Sequence, residues 1–254
     1  MAATPSGKDK ILRWTRIYCD EFNLSGDART YSSLDCSFGE VDMTGWDESV
    51  KNYLSDDVLM IGIKGFQALL NDAAGRAFDV LKDRGIGQLS LQMGGGGEPA
   101  IGDPAYLMRG VQMSEQAAFD ASKAVLTADF LPDAGQYDAD AWFPFGVVLH
   151  PATSLTATTN GTSVDMGAAV ADGIHALMHI IASSGGTWAF KLQHSTNDSD
   201  WVDVTGGGFT LDGSVVGSEA IEVAGAINRY VRFVATRTSG TVTPVVSLAW
   251  NLAL

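Results

Sequence analysis

The sequence predicts a mainly β chain with one principal helix, which is an α+β fold. Three observations lead to this prediction. Several segments alternate apolar with polar residues, one segment after residue 67 repeats its apolar residues at helical spacing, and the stretch after about residue 148 is rich in threonine, serine, glycine and valine. Alternation is the period of a half-buried strand, whereas a repeat of three to four residues is the period of a helix.

Alternating segments predict strands along the whole chain. In the first half they lie at residues 13–22, 32–41, 58–65, 88–93, 106–118 and 123–131. In the second half they lie at residues 177–182, 187–194, 201–205, 219–223, 229–236 and 245–254. The dipeptides Asn160-Gly161 and Asp212-Gly213 are typical of tight turns, and many short strands joined by such turns predict a β-sandwich or a small barrel. We therefore divide the chain into domains at 1–147 and 148–254.

Two helices are predicted, both in the first half. Thr44 and Asp47 have the spacing of a capping pair, which predicts a short helix at about 45–54. The principal helix is predicted at about 67–84, where Gly85 provides the C-terminal cap. Its apolar face consists of Leu70, Ala74, Phe78 and Leu81.

Length, composition and charge limit the possible functions. The chain has 254 residues, of which 46% are apolar and 18% charged, enough to bury a sizeable core. No apolar run reaches the roughly 18 residues of a membrane span, and residues 1–10 lack a secretory signal, so we expect them to form a flexible arm. The net charge of −14 makes tight binding to nucleic acid improbable on electrostatic grounds. Two interpretations of this charge stay open: it keeps the protein soluble, or the acidic side chains line a channel through which DNA passes without binding.

Residues with potential chemistry form no recognisable constellation. Cys19 and Cys36 lack metal-type spacing, and we expect buried free thiols. His175 and His179 lie on a predicted strand, where they share a face about 13 Å apart, too far for one metal ion. The acidic stretch at residues 197–200 is expected to be a solvated surface, with loosely bound calcium as the alternative. The sequence thus predicts no catalytic residue, no metal site and no cofactor.

The segment at residues 94–107 is the most distinctive part of the chain. Four glycines precede Glu98-Pro99, so the Lys-Ser/Thr pair of a phosphate-binding loop is missing. The segment lies between two predicted strands, which makes it a long hairpin-type loop. We predict that it forms an inter-subunit contact, and the residues assigned to this contact are Gly94, Gly95, Gly96, Gly97, Glu98 and Asp103.

Several motifs, in order, resemble the major tail protein of long-tailed, non-contractile bacteriophages, which is their tail tube protein. The first is Arg16-Ile17-Tyr18-Cys19-Asp20-Glu21-Phe22 with the turn after it, and the others lie at 38–44, 98–106, 145–150 and 231–233. The resemblance extends over nearly the whole chain. It implies a tail-tube-like β-barrel or sandwich with a flanking helix, followed by a C-terminal β-sandwich.

The resemblance also implies a function and its partners. Subunits of that family form rings that stack into a tube, and the tube conducts the genome into the host cell. The implied partners are other copies of the chain, the tail terminator, tip and tape measure proteins, and genomic DNA that passes without specific binding. The implied location is the virion, after assembly in the host cytoplasm. Six copies per ring are favoured, and three copies forming a pseudo-hexamer are the alternative.

A second class of function is a glycan-binding or decoration protein on the virion surface. Trp188, Trp201 and Trp250 lie among the short strands of the second half, and aromatic faces stack on sugars. The alternation around Trp188 and Trp250 predicts that these two belong to the core. Exposure of a tryptophan is therefore the observation that distinguishes the two classes.

Overall fold

The structure, a computed structural model, describes residues 14–42, 53–82, 85–119, 124–132 and 145–250. These residues are almost wholly β-structure, which confirms the predicted mainly β fold. In the first part of the chain the elements are β1 (Thr15–Cys19), β2 (Phe22–Asn23), β3 (Ala28–Thr30), β4 (Ser33–Asp42), β5 (Tyr53–Leu69), α1 (Ala77–Leu81), β6 (Ile86–Met93), β7 (Pro104–Phe119) and β8 (Ala124–Pro132). The strands that follow are β9 (Phe145–His150), β10 (Thr159–Asn160), β11 (Val164–Asp165), β12 (Ile174–Ser183), β13 (Trp188–Ser195), β14 (Val202–Gly208), β15 (Gly217–Val223), β16 (Tyr230–Arg237) and β17 (Val242–Trp250).

The chain divides into two compact units that are interleaved along the sequence. The first unit comprises Met1–Gly26, Gly87–Leu107 and Phe145–Leu254, and the second comprises Asp27–Ile86 and Met108–Pro144. The predicted domains, 1–147 and 148–254, are consecutive in the sequence. That consecutive division stays a prediction.

The first unit contains a β-sandwich. One sheet has the strand order β15-β12-β17-β9-β7-β6-β1-β2, and the other has the order β10-β16-β13-β14 with β11 beside β16. Alternate residues of both sheets meet in one core, where Trp188, Phe190 and Phe233 pack with Met178 and Leu248. The large residues of β13 therefore face inward while their neighbours face outward, as the alternating sequence predicts. The sandwich is not confined to residues 148–254, because its larger sheet includes β1, β2, β6 and β7 from the first part of the chain.

Strand β12 is buried on both of its faces. Every residue from Ile174 to Ile180 is buried. One face belongs to the sandwich core, and the other is covered by β6, since Ser90 hydrogen-bonds to His179 at 2.8 Å. On the neighbouring strand β17, Ser247 accepts a hydrogen bond from Gln92 at 3.0 Å. The larger sheet thus curls back over its own outer face, and polar side chains line the buried contact.

The second unit is built on antiparallel strands. β3 and β4 pair with β5, β5 pairs with β8, and β8 pairs with the later part of β7. Phe66 and Phe130 pack at 6.1 Å between ring centres in its core. The buried carboxylate of Asp27 accepts hydrogen bonds from the backbone N–H of Ala77 at 3.2 Å and from the Asn71 side chain at 3.0 Å. A carboxylate at the start of a helix satisfies a free amide there, so Asp27 holds α1 in place.

The predicted principal helix at 67–84 is wrong in its extent. Residues 67–69 are the end of β5, where Ala68 pairs with Leu126 and Leu69 with Val125. A turn with Gly75 at φ 72° follows, and α1 spans only Ala77–Leu81. Strand pairing with β8 thus overrides the helical spacing of the apolar residues. The short helix at 45–54 falls mainly outside the described residues, and Tyr53 and Leu54 belong to β5.

The predicted strands are confirmed, with shifts at their ends. The first one is divided, because a turn at Asp20 and Glu21 separates β1 from β2. Strand β5 is much longer than the predicted 58–65. Residues 251–254 of the last predicted strand lie outside the described residues, as does the predicted arm at 1–10. Cys19 is a buried free thiol, as predicted, whereas the side chain of Cys36 lies outside the described part of the chain.

Candidate functional site

The glycine-rich segment forms the connection between β6 and β7, as predicted. The N–H of Gly94 donates to the carbonyl of Trp14 at 3.0 Å, next to the start of β1. A Cβ at Gly94 would lie 2.0 Å from the carbonyl oxygen of Gly97, so this position requires glycine. Gly95 and Gly96 are exposed and form the tip, where Gly96 has a φ of 122° that other residues rarely adopt. The loop therefore combines a fixed base with an exposed tip.

The two acidic residues of this loop have different positions. Glu98 forms an ion pair with Arg16 through two hydrogen bonds, one of them 2.7 Å from Nε to Oε2, and its side chain is 66% exposed. Asp103 instead closes a turn, because its carboxylate accepts a hydrogen bond from the backbone N–H of Ala100 at 2.9 Å. Its carbonyl accepts from the N–H of Val148 at 2.8 Å. Of the predicted contact residues, Gly94 and Asp103 shape the loop, whereas Gly95, Gly96 and Glu98 face solvent.

A cavity of about 350 Å³ lies beside the loop. Its wall consists of Glu98 and Pro99 from the loop, Tyr18 and Gln92 from the adjacent strands, and residues 151–153. Burial raises the pKa of Tyr18 to about 12. The cavity makes the loop one side of a recess rather than an isolated projection.

Within the described residues, the later part of β7, in the second unit, has one edge without a strand partner. From Ser114 to Phe119 this strand pairs with β8 on one side. On the other side, β6 does not reach this stretch. Its first residue is Ile86, and the N–H of Gln112 on β7 already donates to the carbonyl of Gly85, the residue before β6. Among the residues that the structure describes, no strand pairs with that edge. The sequence predicts the strand, but the lack of a second strand partner among the described residues is visible only in the structure.

Apolar side chains are exposed along this edge. Phe119 is 74% exposed and Met113 is 58% exposed, and Ala117 and Ala118 are exposed as well. Leu69, 41% exposed, belongs to the same end of the sheet, because it pairs with Val125 and Val125 pairs with Ala118. An open edge with exposed apolar residues is a surface at which another chain can add a strand.

Among the described residues, a buried serine–histidine pair is the arrangement that most resembles a catalytic one. His179 Nδ1 lies 2.6 Å from the carbonyl oxygen of Asp20, which can only accept, so Nδ1 carries the proton. Nε2 then accepts from the hydroxyl of Ser90 at 2.8 Å. Burial lowers the pKa of His179 to about 4 and keeps the ring neutral. Ser90 and His179 are almost fully buried, so a substrate cannot reach them, and the pair is part of the packing between β6 and β12.

The predicted metal candidates have structural surroundings. His175 and His179 lie on the strand β12, as predicted, and both are buried. The side chain of Asn197 accepts hydrogen bonds from the backbone N–H groups of Ser199 and Asp200 and donates to the Asp200 carboxylate at 2.7 Å. This loop is thus closed by its own side chains. In the described ranges, histidine, cysteine and acidic side chains form no group of three that can hold a metal ion.

Comparisons with known proteins give structural likenesses that are weak, among them one to a phage protein. No protein-family model matches the chain, and no curated protein matches it. The crystal structure of the SPP1 Dit protein (gp 19.1), described as a paradigm of the hub adsorption apparatus in phages that infect Gram-positive bacteria, has a TM-score of 0.29 and 12% identity. That likeness covers 93% of this chain and 99% of the Dit chain.

The second likeness is to the structure of infectious bursal disease virus, Gx strain. It has a TM-score of 0.26 and 9% identity, and it covers 92% of this chain but only 55% of the viral one. At these TM-scores neither likeness establishes a shared fold, and no function is assigned from them. The described helix is too short to cross a membrane.

Proposed function

We propose that the protein is a structural subunit of a bacteriophage tail that assembles with copies of itself into the stacked rings of the tail tube. The open, apolar edge of β7 at Met113–Phe119 is the observation that supports this proposal most directly. Such an edge pairs with another chain when one is present. The motif resemblance to tail tube proteins favours a second copy of the same chain as that partner.

A ring forms when each copy presents its β7 edge to a different surface of the next copy. Contacts of this head-to-tail kind close into a ring if the rotation between copies divides a full turn. Six copies per ring are proposed, with three copies as the alternative. The exposed tip of the glycine-rich loop, Gly95 and Gly96 with Glu98, is proposed to contact a neighbouring copy as well.

The acidic balance of the chain suits a tube that DNA passes through. A net charge of −14 per subunit repels phosphate groups, so genomic DNA is not retained by the tube wall. The tail terminator, tip and tape measure proteins are the further partners that this function requires, and the virion is its location.

Assembly at high protein concentration tests the proposal, and substitutions on β7 test the edge. Met113→Lys with Phe119→Lys places charges along the edge without removing buried side chains, since both positions are exposed. We expect rings or tubes of the unaltered protein in negative-stain electron micrographs and monomers of the double variant with an unchanged melting temperature. Val215→Lys, at a 61% exposed position in the first unit, is the matched control and is expected to assemble.

Two outcomes contradict the proposal at different levels. If the unaltered protein stays monomeric even with tail-tip proteins present as nucleators, the tail tube function is wrong. If the double variant assembles as well as the control, the function stands but the β7 edge is not the contact.

A second pair of variants tests the glycine-rich loop. Gly97 and Gly208 have ordinary backbone angles, and a Cβ at either meets no atom within 4 Å. Gly97→Arg therefore adds bulk at the loop without disturbing the subunit, and Gly208→Arg adds the same bulk on β14. We expect assembly to fail only for Gly97→Arg. Equal assembly of both variants removes the loop from the interface.

A further inference from the structure

The outer face of the smaller sheet carries a row of polar side chains on three neighbouring strands. Arg232 on β16 pairs with Gln193 on β13, and Gln193 pairs with Asp203 on β14. We call these three residues the Arg232 row. Residues that are directly opposite on adjacent strands lie about 5 Å apart, so the row presents its polar groups at regular spacing.

Hydrogen bonds hold the Arg232 row in one arrangement. Nε and Nη2 of Arg232 both donate to Oε1 of Gln193, at 3.0 and 2.7 Å. The amide of Gln193 donates to Asp203 at 2.7 Å, and Lys191 donates to the other carboxylate oxygen at 2.8 Å. Each side chain thus fixes the rotamer of the next, and binding a ligand here would require little further ordering.

An aromatic ring adjoins the row at the start of β14. The guanidinium carbon of Arg232 lies 4.2 Å from the centre of the Trp201 ring, which is a cation–π contact. Trp201 is partly exposed, whereas Trp188 is buried and Trp250 packs against the core. Trp201 is therefore the one among the three tryptophans considered for sugar binding that is positioned on the surface beside ordered polar groups.

The row keeps unused hydrogen-bonding capacity. Nη1 of Arg232 and the indole N–H of Trp201 donate to no partner within the described part of the chain. Each carboxylate oxygen of Asp203 accepts one hydrogen bond and can accept another. Donors and acceptors are therefore available side by side, next to an aromatic ring.

This combination matches the chemistry of a saccharide. A sugar presents C–H groups on one face, which pack on an aromatic ring, and hydroxyl groups at its edge, which both donate and accept. Stabilisation between neighbouring strands is enough to explain the ion pair of Lys191 with Asp203 and the hydrogen bonds of the Gln193 amide. It does not require a tryptophan beside the row. We propose that the Arg232 row and Trp201 form a binding site for a neutral saccharide with adjacent hydroxyl groups.

The site is independent of the assembly proposal. None of its residues belongs to the glycine-rich loop or to the β7 edge, the two surfaces proposed for assembly. A neutral ligand is favoured over an anionic one because the chain has a net charge of −14 and Asp203 lies within the row.

Binding of the full-length protein to an array of immobilised bacterial-surface oligosaccharides, neutral and acidic, tests this site. We expect binding to neutral glycans that Trp201→Ala and Arg232→Lys each weaken by roughly tenfold, since an aromatic contact or a planar two-point contact is lost. Arg237→Lys is the matched control, because Arg237 is exposed on the same strand and donates to the carbonyl of Gly240. Val202→Ala controls for truncation of an exposed residue next to Trp201.

Three outcomes overturn the site. The first is that the unaltered protein binds no glycan on the array. The second is that Trp201→Ala and Arg232→Lys bind as well as the two controls, which places the binding elsewhere. The third is that the protein binds only acidic glycans and that added salt abolishes this binding. Arg232 would then bind an anion rather than a neutral sugar. None of these outcomes bears on tube assembly, so the two proposals fail separately.

Discussion

Replacing His179 by glutamine is expected to remove an acid-dependent loss of stability from the protein. The ring of His179 lies between β6 and β12, where Nδ1 donates to the carbonyl of Asp20 and Nε2 accepts from Ser90. Protonation of Nε2 would convert it into a donor facing the Ser90 hydroxyl and would bury a charge. The folded protein therefore resists protonation, whereas the unfolded chain does not.

The size of the effect follows from the two pKa values. The pKa of His179 is about 4 in the folded protein, where burial is the main cause, and 6.5 is its ordinary value. As the pH falls below the ordinary value, the unfolded chain binds a proton that the folded protein excludes, so the free energy of unfolding decreases. At about pH 5 the decrease is roughly 2 kcal/mol relative to neutral pH, at 1.36 kcal/mol per pKa unit. It reaches its full value only once the pH falls below the folded-state pKa.

Urea unfolding of both proteins at about pH 7.5 and about pH 5 measures this effect. His179→Gln keeps an amide in place of the ring, so both a donor and an acceptor are retained. We expect the unaltered protein to lose about 2 kcal/mol more than the variant between the two pH values. His150, whose pKa burial also lowers to about 4, is present in both proteins and cancels in the comparison. An equal loss in both proteins would refute the assigned neutral state of His179.

Three further substitutions or reactions test the packing. Trp188→Ala should lower the free energy of unfolding, measured by urea titration, by about 3 to 5 kcal/mol, because the ring is 2% exposed in the sandwich core. A decrease of less than about 1 kcal/mol contradicts its core position. Gly146→Ala places a Cβ 2.0 Å from the carbonyl of Leu248 and should lower the melting temperature, whereas Gly208→Ala, with open space around it, should not. Cys19 should not react with a thiol reagent in the folded protein at neutral pH, because burial raises the pKa of its thiol; rapid labelling before unfolding would show that it is accessible.

The strands of this protein could be predicted because alternation is a local signal. Trp188, Phe190 and Leu192 face the core on β13 as their spacing indicates, and the polar residues between them face outward. The helix at 67–84 could not be predicted correctly in the same way. Leu70, Ala74, Phe78 and Leu81 have helical spacing, but only the last two lie in α1, since pairing of β5 with β8 extends the preceding strand.

The candidate surfaces were predicted in part. The glycine-rich segment is a loop between two strands, as its composition indicates, but Asp103 and Gly94 shape that loop rather than face solvent. The turn role of Asp103 is local, since its partner Ala100 is three residues away, but the prediction assigned Asp103 to a contact between subunits instead. The residues of the Arg232 row are far apart in the sequence, so no spacing pattern connects them.

Local alternation and composition were enough to predict the mainly β character, the positions of most strands and the acidic balance. The tertiary structure alone decided which strand edges stay open and which polar groups meet. Among the described residues no strand pairs with the later β7 edge, and Arg232, Gln193 and Asp203 meet because of the register of three strands. Both are properties of pairing between distant segments, and such pairing is set by the packing of the whole fold rather than by any one segment.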